Sequence, residues 1–189
     1  MVIVDPKYTT KTERLLLRPL RLDDAPAVNV MRAHPEVMLH TPMLPCDDIS
    51  KTLAWIQGCH DRPNNWNFAI ELLPSEGTPD LSDSSRVIGL VGAVRAPEVG
   101  YMLNFDYWGK GYATEALRGF LPLFFEYYSG GEREEQERFE YAEAQVDPVL
   151  RTSRRVLEKA GFQKYEFKPD NFENPVLGLR DTVVYRRYR

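Results

Sequence analysis

What this sequence has little of narrows its function first. Its 189 residues hold two cysteines, Cys46 and Cys59, and three histidines, His34, His40 and His60. Their spacing matches neither a disulfide framework nor a zinc-ligand set, so no metal is expected. No apolar run is long enough for a membrane-spanning helix. The opening stretch, MVIVDPKYTTKTERLLLRPL, lacks the charged and apolar regions of a secretory signal. The formal net charge is -4, without the basic footprint that a nucleic-acid backbone demands. A soluble cytoplasmic protein with no nucleic-acid or membrane partner is the expectation.

What is present is an ordinary globular mixture, 43% hydrophobic and 28% charged, able to bury a core without staples. One domain spanning residues 1–189 is expected at this length. Residues 14–20 read as a first strand. A short helix follows, with Asp23 or Asp24 as cap and Pro26 in its first turn, until His34-Pro35 breaks it. Residues 35–47 read as a loop. A second helix begins after Asp47, Asp48 and Ser50 and presents Leu53, Ile56 and Trp55 as its apolar face. Strands are predicted at 66–73, 86–95 and from Glu98 to about Asn104, the second apolar enough to be covered on both faces. Residues 74–85 and 129–138 read as a loop and a charged insertion. A long helix from Gly111 to about Tyr128, a strand at 139–146 and a helix at about 151–160 come next, the last stopped by Gly161. Two last strands, 162–167 and 182–188, are joined by the Pro- and Asn-rich stretch 168–179. The order describes an α/β (α+β) domain, a mixed sheet with helices on both faces.

The segment richest in chemistry is 98–117. There a strand ends, a turn follows, and Gly109 and Gly111 stand at the mouth of the long helix. Alternating glycines let a ligand approach the backbone. The first helical amides have no internal partners and carry the positive end of the dipole. Together they form a cradle for a pyrophosphate. The Gly-Lys-Ser/Thr ending of a P-loop is absent, and so is the third glycine of a dinucleotide-binding fingerprint.

Read whole, this segment resembles the Gln/Arg-x-x-Gly-x-Gly/Ala motif of the GNAT superfamily of N-acetyltransferases. Here Trp108-x-x-Gly111-x-Ala113 fills it, with Trp108 in place of the usual Gln or Arg. The run 107–116, YWGKGYATEA, is similar to the variant of the ribosomal-protein N-terminal acetyltransferase branch. Residues 144–162, ending in Gly161-Phe162, resemble the family's block that contacts the pantetheine arm. The opening Thr12–Arg18 and the closing Leu179–Val183 also look like that branch. Two positions depart: Leu150 stands at the family's usual Asn and Leu157 at its frequent Tyr proton donor.

The resemblance implies a GNAT fold, mixed and mostly antiparallel, and transfer of acetyl from acetyl-CoA to a primary amine. The amine belongs to a small molecule or a protein N-terminus, attack is direct, and no metal takes part. It implies backbone contacts to CoA from Met102, Leu103 and Asn104, and a cradle made of Trp108, Gly109, Lys110, Gly111, Tyr112, Ala113 and Thr114. Glu98, ten residues before Trp108, is the expected base, with Glu143 or solvent as competitors. Ser153 stands where the branch has a serine, as thiolate proton donor or only as a helix cap. Arg154 or Arg155 either reaches the 3′-phosphate or is solvated. A non-catalytic CoA-binding module is the second reading, kept open by Leu150 and Leu157.

Overall fold

In a computed structural model, which describes residues 8–74, 86–128 and 138–189, the strands join one sheet. In chain order they are β1 (Thr10–Lys11), β2 (Leu15–Pro19), β3 (Trp66–Leu72), β4 (Val87–Arg95), β5 (Glu98–Leu103), β6 (Tyr141–Val146), β7 (Gln163–Asn174) and β8 (Gly178–Tyr188). Their spatial order is β1-β2-β3-β4-β5-β6-β8-β7. Every pairing is antiparallel except β5 with β6. The helices are α1 (Ala25–Ala33), α2 (Pro35–Met38), α3 (Ile49–Asp61), α4 (Tyr112–Tyr128) and α5 (Arg151–Lys159).

The sheet is covered on both faces, as the apolar run of β4 implied. Ile88, Val91 and Ala93 join the larger core under α4 and α5, with Leu117, Phe120, Phe124 and Leu157. Val87 and Leu90 join a second core under α1 and α3, with Val28, Met31 and Ile56. Alternation along β5 splits it the same way: Val99, Tyr101 and Leu103 face the first core and Met102 the second.

The structure adds β1, an edge strand ahead of the first one expected, and differs from the sequence reading of the elements in three further places. Pro35 does break α1, but it also occupies the first position of α2, where its missing amide costs nothing. Helix α3 buries Thr52, Ile56 and Cys59, while Leu53 stays 39% exposed. A threonine can take that buried position because its hydroxyl donates to Asn29 Oδ1 at 2.7 Å, tying α3 to α1. Finally, β7 and β8 run through the stretch expected as a connection. The register shifts between Lys168 and Phe172, and Asp170 sits at φ 45°. A bulge on an edge strand absorbs Pro169 and its neighbours without ending the pairing. The expectations for 75–85 and 129–137 lie outside the described residues.

Candidate active site

Strands β5 and β6 touch at one rung, Glu98 opposite Glu143, where the Glu143 amide also donates to the Pro97 carbonyl at 2.8 Å. Beyond it they part, so the middle of the sheet opens as a V towards Leu103 and Val146. The Asn104 amide donates to the Ile88 carbonyl, on the β4 side. Strand alternation then turns Met102 to β4 as well and leaves the backbone of Tyr101 and Leu103 facing the opening. Of the three backbone positions expected there, only Leu103 has that direction. Tyr101 is the one the sequence reading passed over. The Leu103 carbonyl is taken by Trp108 Nε1 at 2.9 Å.

The turn after β5 leads into α4. Gly109 and Gly111 have φ of 74° and 84°, values that explain glycine at both positions. The first α-helical bond runs from the Glu115 amide to the Gly111 carbonyl at 3.1 Å. The amides of Tyr112, Ala113 and Thr114 therefore have no carbonyl behind them within the helix. Arg14 braces this turn: Nη1 donates to the Lys110 carbonyl at 3.1 Å, and the guanidinium lies 4.5 Å from the Tyr112 ring. Arg14 is held in turn by Glu115, at 2.6 Å, and Glu115 accepts from the Thr12 hydroxyl at 2.5 Å. Thr12, Arg14 and Glu115 were visible only as parts of resembling segments; the contacts give them a job. The Lys110 ammonium, exposed at this turn, donates to the Asp106 carbonyl at 2.9 Å.

On the α5 side of the V, Ser153 Oγ lies 2.6 Å from the Tyr101 hydroxyl, which also donates to the Ser153 carbonyl at 3.1 Å. Ser153 is no helix cap; that place falls to Leu150, which makes no side-chain bond. Burial pushes the Tyr101 phenol up to about 12, against the opposing pull of Ser153, so the pair is neutral. Leu157 is buried in the core and offers no hydroxyl. Arg154 is engaged by Tyr185 and the Pro148 carbonyl, while Arg155 is exposed.

On the other face, Glu98 stands at the closed end of the V, with Arg95 Nη2 2.7 Å from its Oε2. Five residues of strand, about 16 Å, separate it from the open end and the helix start there. Glu143 pairs with Arg186 at 2.8 Å. Asp147, one residue past β6 at the open end, pairs with Arg180 at 2.8 Å. Its carboxyl would be raised by burial, but Arg180 and the Val149 amide hold it below the usual carboxylate range. A cavity of about 450 Å³ near Arg118, Lys159 and Arg187 lies at the far end of α5. Arg118 and Arg187 there donate to the Lys159 and Ala160 carbonyls, which closes the helix end.

The acetyltransferase (GNAT) domain family matches residues 14–163. The chain belongs to this family. An N-acetyltransferase of Bacillus licheniformis named p20, itself uncharacterized, is 28% identical over 82% of this chain and 83% of its own length. Two solved structures share the fold at low identity. One is RimL, the ribosomal L7/L12 alpha-N-protein acetyltransferase in complex with coenzyme A, with TM-score 0.74 and 14% identity over 94% of this chain and 95% of that one. The other is spermidine N-acetyltransferase from Vibrio cholerae in complex with CoA and spermine, with TM-score 0.73 and 14% identity over 94% and 96%. The GNAT family and fold expected from the motif are thus shown. Among the described residues no cluster of His, Cys, Asp and Glu could hold a metal, and no helix is long and apolar enough to cross a membrane.

Proposed function

We propose that this GNAT protein transfers acetyl from acetyl-CoA to an amine in the V between β5 and β6. The observation that carries this reading is the single-rung contact of the two parallel strands beside a helix start braced for an anion. The backbone of Tyr101 and Leu103 would pair with the pantetheine amides, and the amides of Tyr112, Ala113 and Thr114 would take the pyrophosphate. Bound there, acetyl-CoA supplies the activated acyl carbon. Ser153, linked to the neutral Tyr101 phenol, would return a proton to the leaving sulfur; its contribution would be orientation, since neither hydroxyl is acidic. This keeps a proton path although Leu150 and Leu157 replace the family's Asn and Tyr, and it favours an enzyme over a silent CoA-binding module.

The acceptor face argues about charge. Glu98, Glu143 and Asp147 are each paired with an arginine: Arg95, Arg186 and Arg180. They offer no surplus negative charge to hold a polycation, so an acceptor with one amine, small or at a peptide N-terminus, suits the face better than a polyamine. The test is a panel of monoamines, N-terminal peptides and polyamines incubated with acetyl-CoA, read by free thiol. Release with monoamines or peptides is expected. Binding of acetyl-CoA with no release in any arm would turn the reading to the silent module, and release confined to polyamines would reverse the charge argument.

A further inference from the structure

Three buried side-chain nitrogens among the described residues have no hydrogen-bond partner: Arg32 Nε, His34 Nδ1 and His40 Nδ1. All lie within residues 32–40, between α1 and the chain after α2. An unpaired buried polar atom is rare enough to call for a reason. His40 supplies one through its position. Its Nδ1 faces the Asp147 carboxylate at 3.6 Å, with 22% of the side chain still exposed. Asp147 follows β6 directly at the open end of the V and is gripped by Arg180 Nε at 2.8 Å and Nη2 at 3.3 Å. The loop carrying His40 is pinned on both sides: Asn174, 3% exposed, donates to the Leu39 carbonyl at 2.9 Å and to the Thr41 carbonyl at 3.3 Å.

Resting on the acetyl-transfer reading above, we propose that His40 is the proton acceptor for the amine and that Asp147 is its positioning residue. The carboxylate facing Nδ1 favours the tautomer with its proton there and leaves Nε2 as the acceptor. The distance to Asp147 exceeds a hydrogen bond, as is common before a catalytic site closes on its substrates. Along β6, Ala142, Ala144 and Val146 face the core under α4 and α5. The alternate residues, ending in Asp147, face the other side. His40 therefore stands on the face opposite Ser153 and Tyr101. A base on one face and a proton donor on the other is the arrangement direct attack needs. The acceptor arrives as an ammonium, and His40 takes one of its protons. The C–N bond forms as the C–S bond breaks, and the nitrogen sheds its second proton. Sulfur gains one proton by way of Ser153, so one proton in all passes to solvent. Among the described residues, the charged group facing His40 is Asp147 at the end of β6, with Arg180 of β8 behind it. Glu98 sits at the closed end, already held by Arg95.

The experiment uses the whole chain, the best acceptor from the amine panel and single-turnover thiol release between about pH 6 and 9. His40→Gln is expected to slow release on the order of 10²-fold near neutral pH, the scale of lost general-base catalysis. Acetyl-CoA affinity should be retained, and the rate should recover towards alkaline pH as the amine deprotonates unaided. Added imidazole should restore part of the rate of His40→Gly, and Asp147→Asn should fall between wild type and His40→Gln. The assignment is overturned by a wild-type pH profile in His40→Gln, by a loss that neither alkali nor imidazole reverses, or by a comparable loss in Glu98→Gln alone. A wild-type chain that binds acetyl-CoA yet acetylates no amine overturns the acetyl-transfer reading itself, and this assignment with it.

Discussion

At Gly111 two demands meet on one residue. Its φ of 84° lies where a side chain is strained by about 1–3 kcal/mol, yet a Cβ there would meet only Arg14 Nη2, at 3.5 Å. Space is therefore ample and conformation is the constraint. Gly111→Val should relax the turn away from its positive φ and disturb the amides behind it. Isothermal titration should show CoA binding weakened by tenfold or more, since about 1.4 kcal/mol of the strain suffices for that, with the far-ultraviolet spectrum unchanged. Unaltered affinity in a folded variant would place the pyrophosphate elsewhere. Glycine spacing was legible in the sequence because it is local. The roles of Thr12, Arg14 and Glu115 were not, because they depend on a contact across some hundred residues of chain.

Among the elements, β2 is fastened by charge as much as by pairing. Arg18, 8% exposed, makes a two-pronged bond to Asp24 at 2.6 and 2.8 Å and a further one to Glu71 at 2.5 Å. Burial opposes its charge, but the two carboxylates more than compensate and raise the guanidinium above its ordinary value. Arg18→Met would leave both acids facing a low-dielectric interior without a cation. The expected loss is about 3–5 kcal/mol, measured as a lower denaturant midpoint at unchanged slope; a shift within 0.5 kcal/mol would show that the acids find water instead. Elements with a strong period were readable: β4, α4 and α5 fall within a residue or two of expectation. The hairpin of β7 and β8 was obscured by Pro169 and the asparagines around it, since nothing local announces that an edge bulge will tolerate them. Helix α3 was misjudged on Leu53 because the partner that makes Thr52 comfortable, Asn29, belongs to another helix.

For the molecule as a whole, pH reports on how the parts are joined. Burial works to raise the Glu115 carboxyl, but the bonds from Thr12 and Arg14 outweigh it and hold it below its usual value; Asp147 is lowered likewise through Arg180. A carboxyl depressed in the folded state stabilises fully above its unfolded value, about pH 4, and loses that contribution as pH falls through the folded value. Thermal melts should therefore be level near neutrality and drop steeply below about pH 4. Glu115→Gln should flatten that drop while lowering the neutral plateau; a steep acid limb unchanged by the variant would assign it to other carboxylates. The single rung between β5 and β6 has one more consequence, for the life of the protein before it meets its substrates. A sheet ordinarily has two margins; among the described residues this one has four, since the V opens an inner margin on β5, where Trp108 takes only the Leu103 carbonyl, and another on β6. Bare margins invite foreign strands. The V is shut at the Glu98–Glu143 end, so an intruding chain would have to enter end-on as a free terminus rather than lie alongside. The shape that admits a narrow thioester arm is thereby also a guard against aggregation.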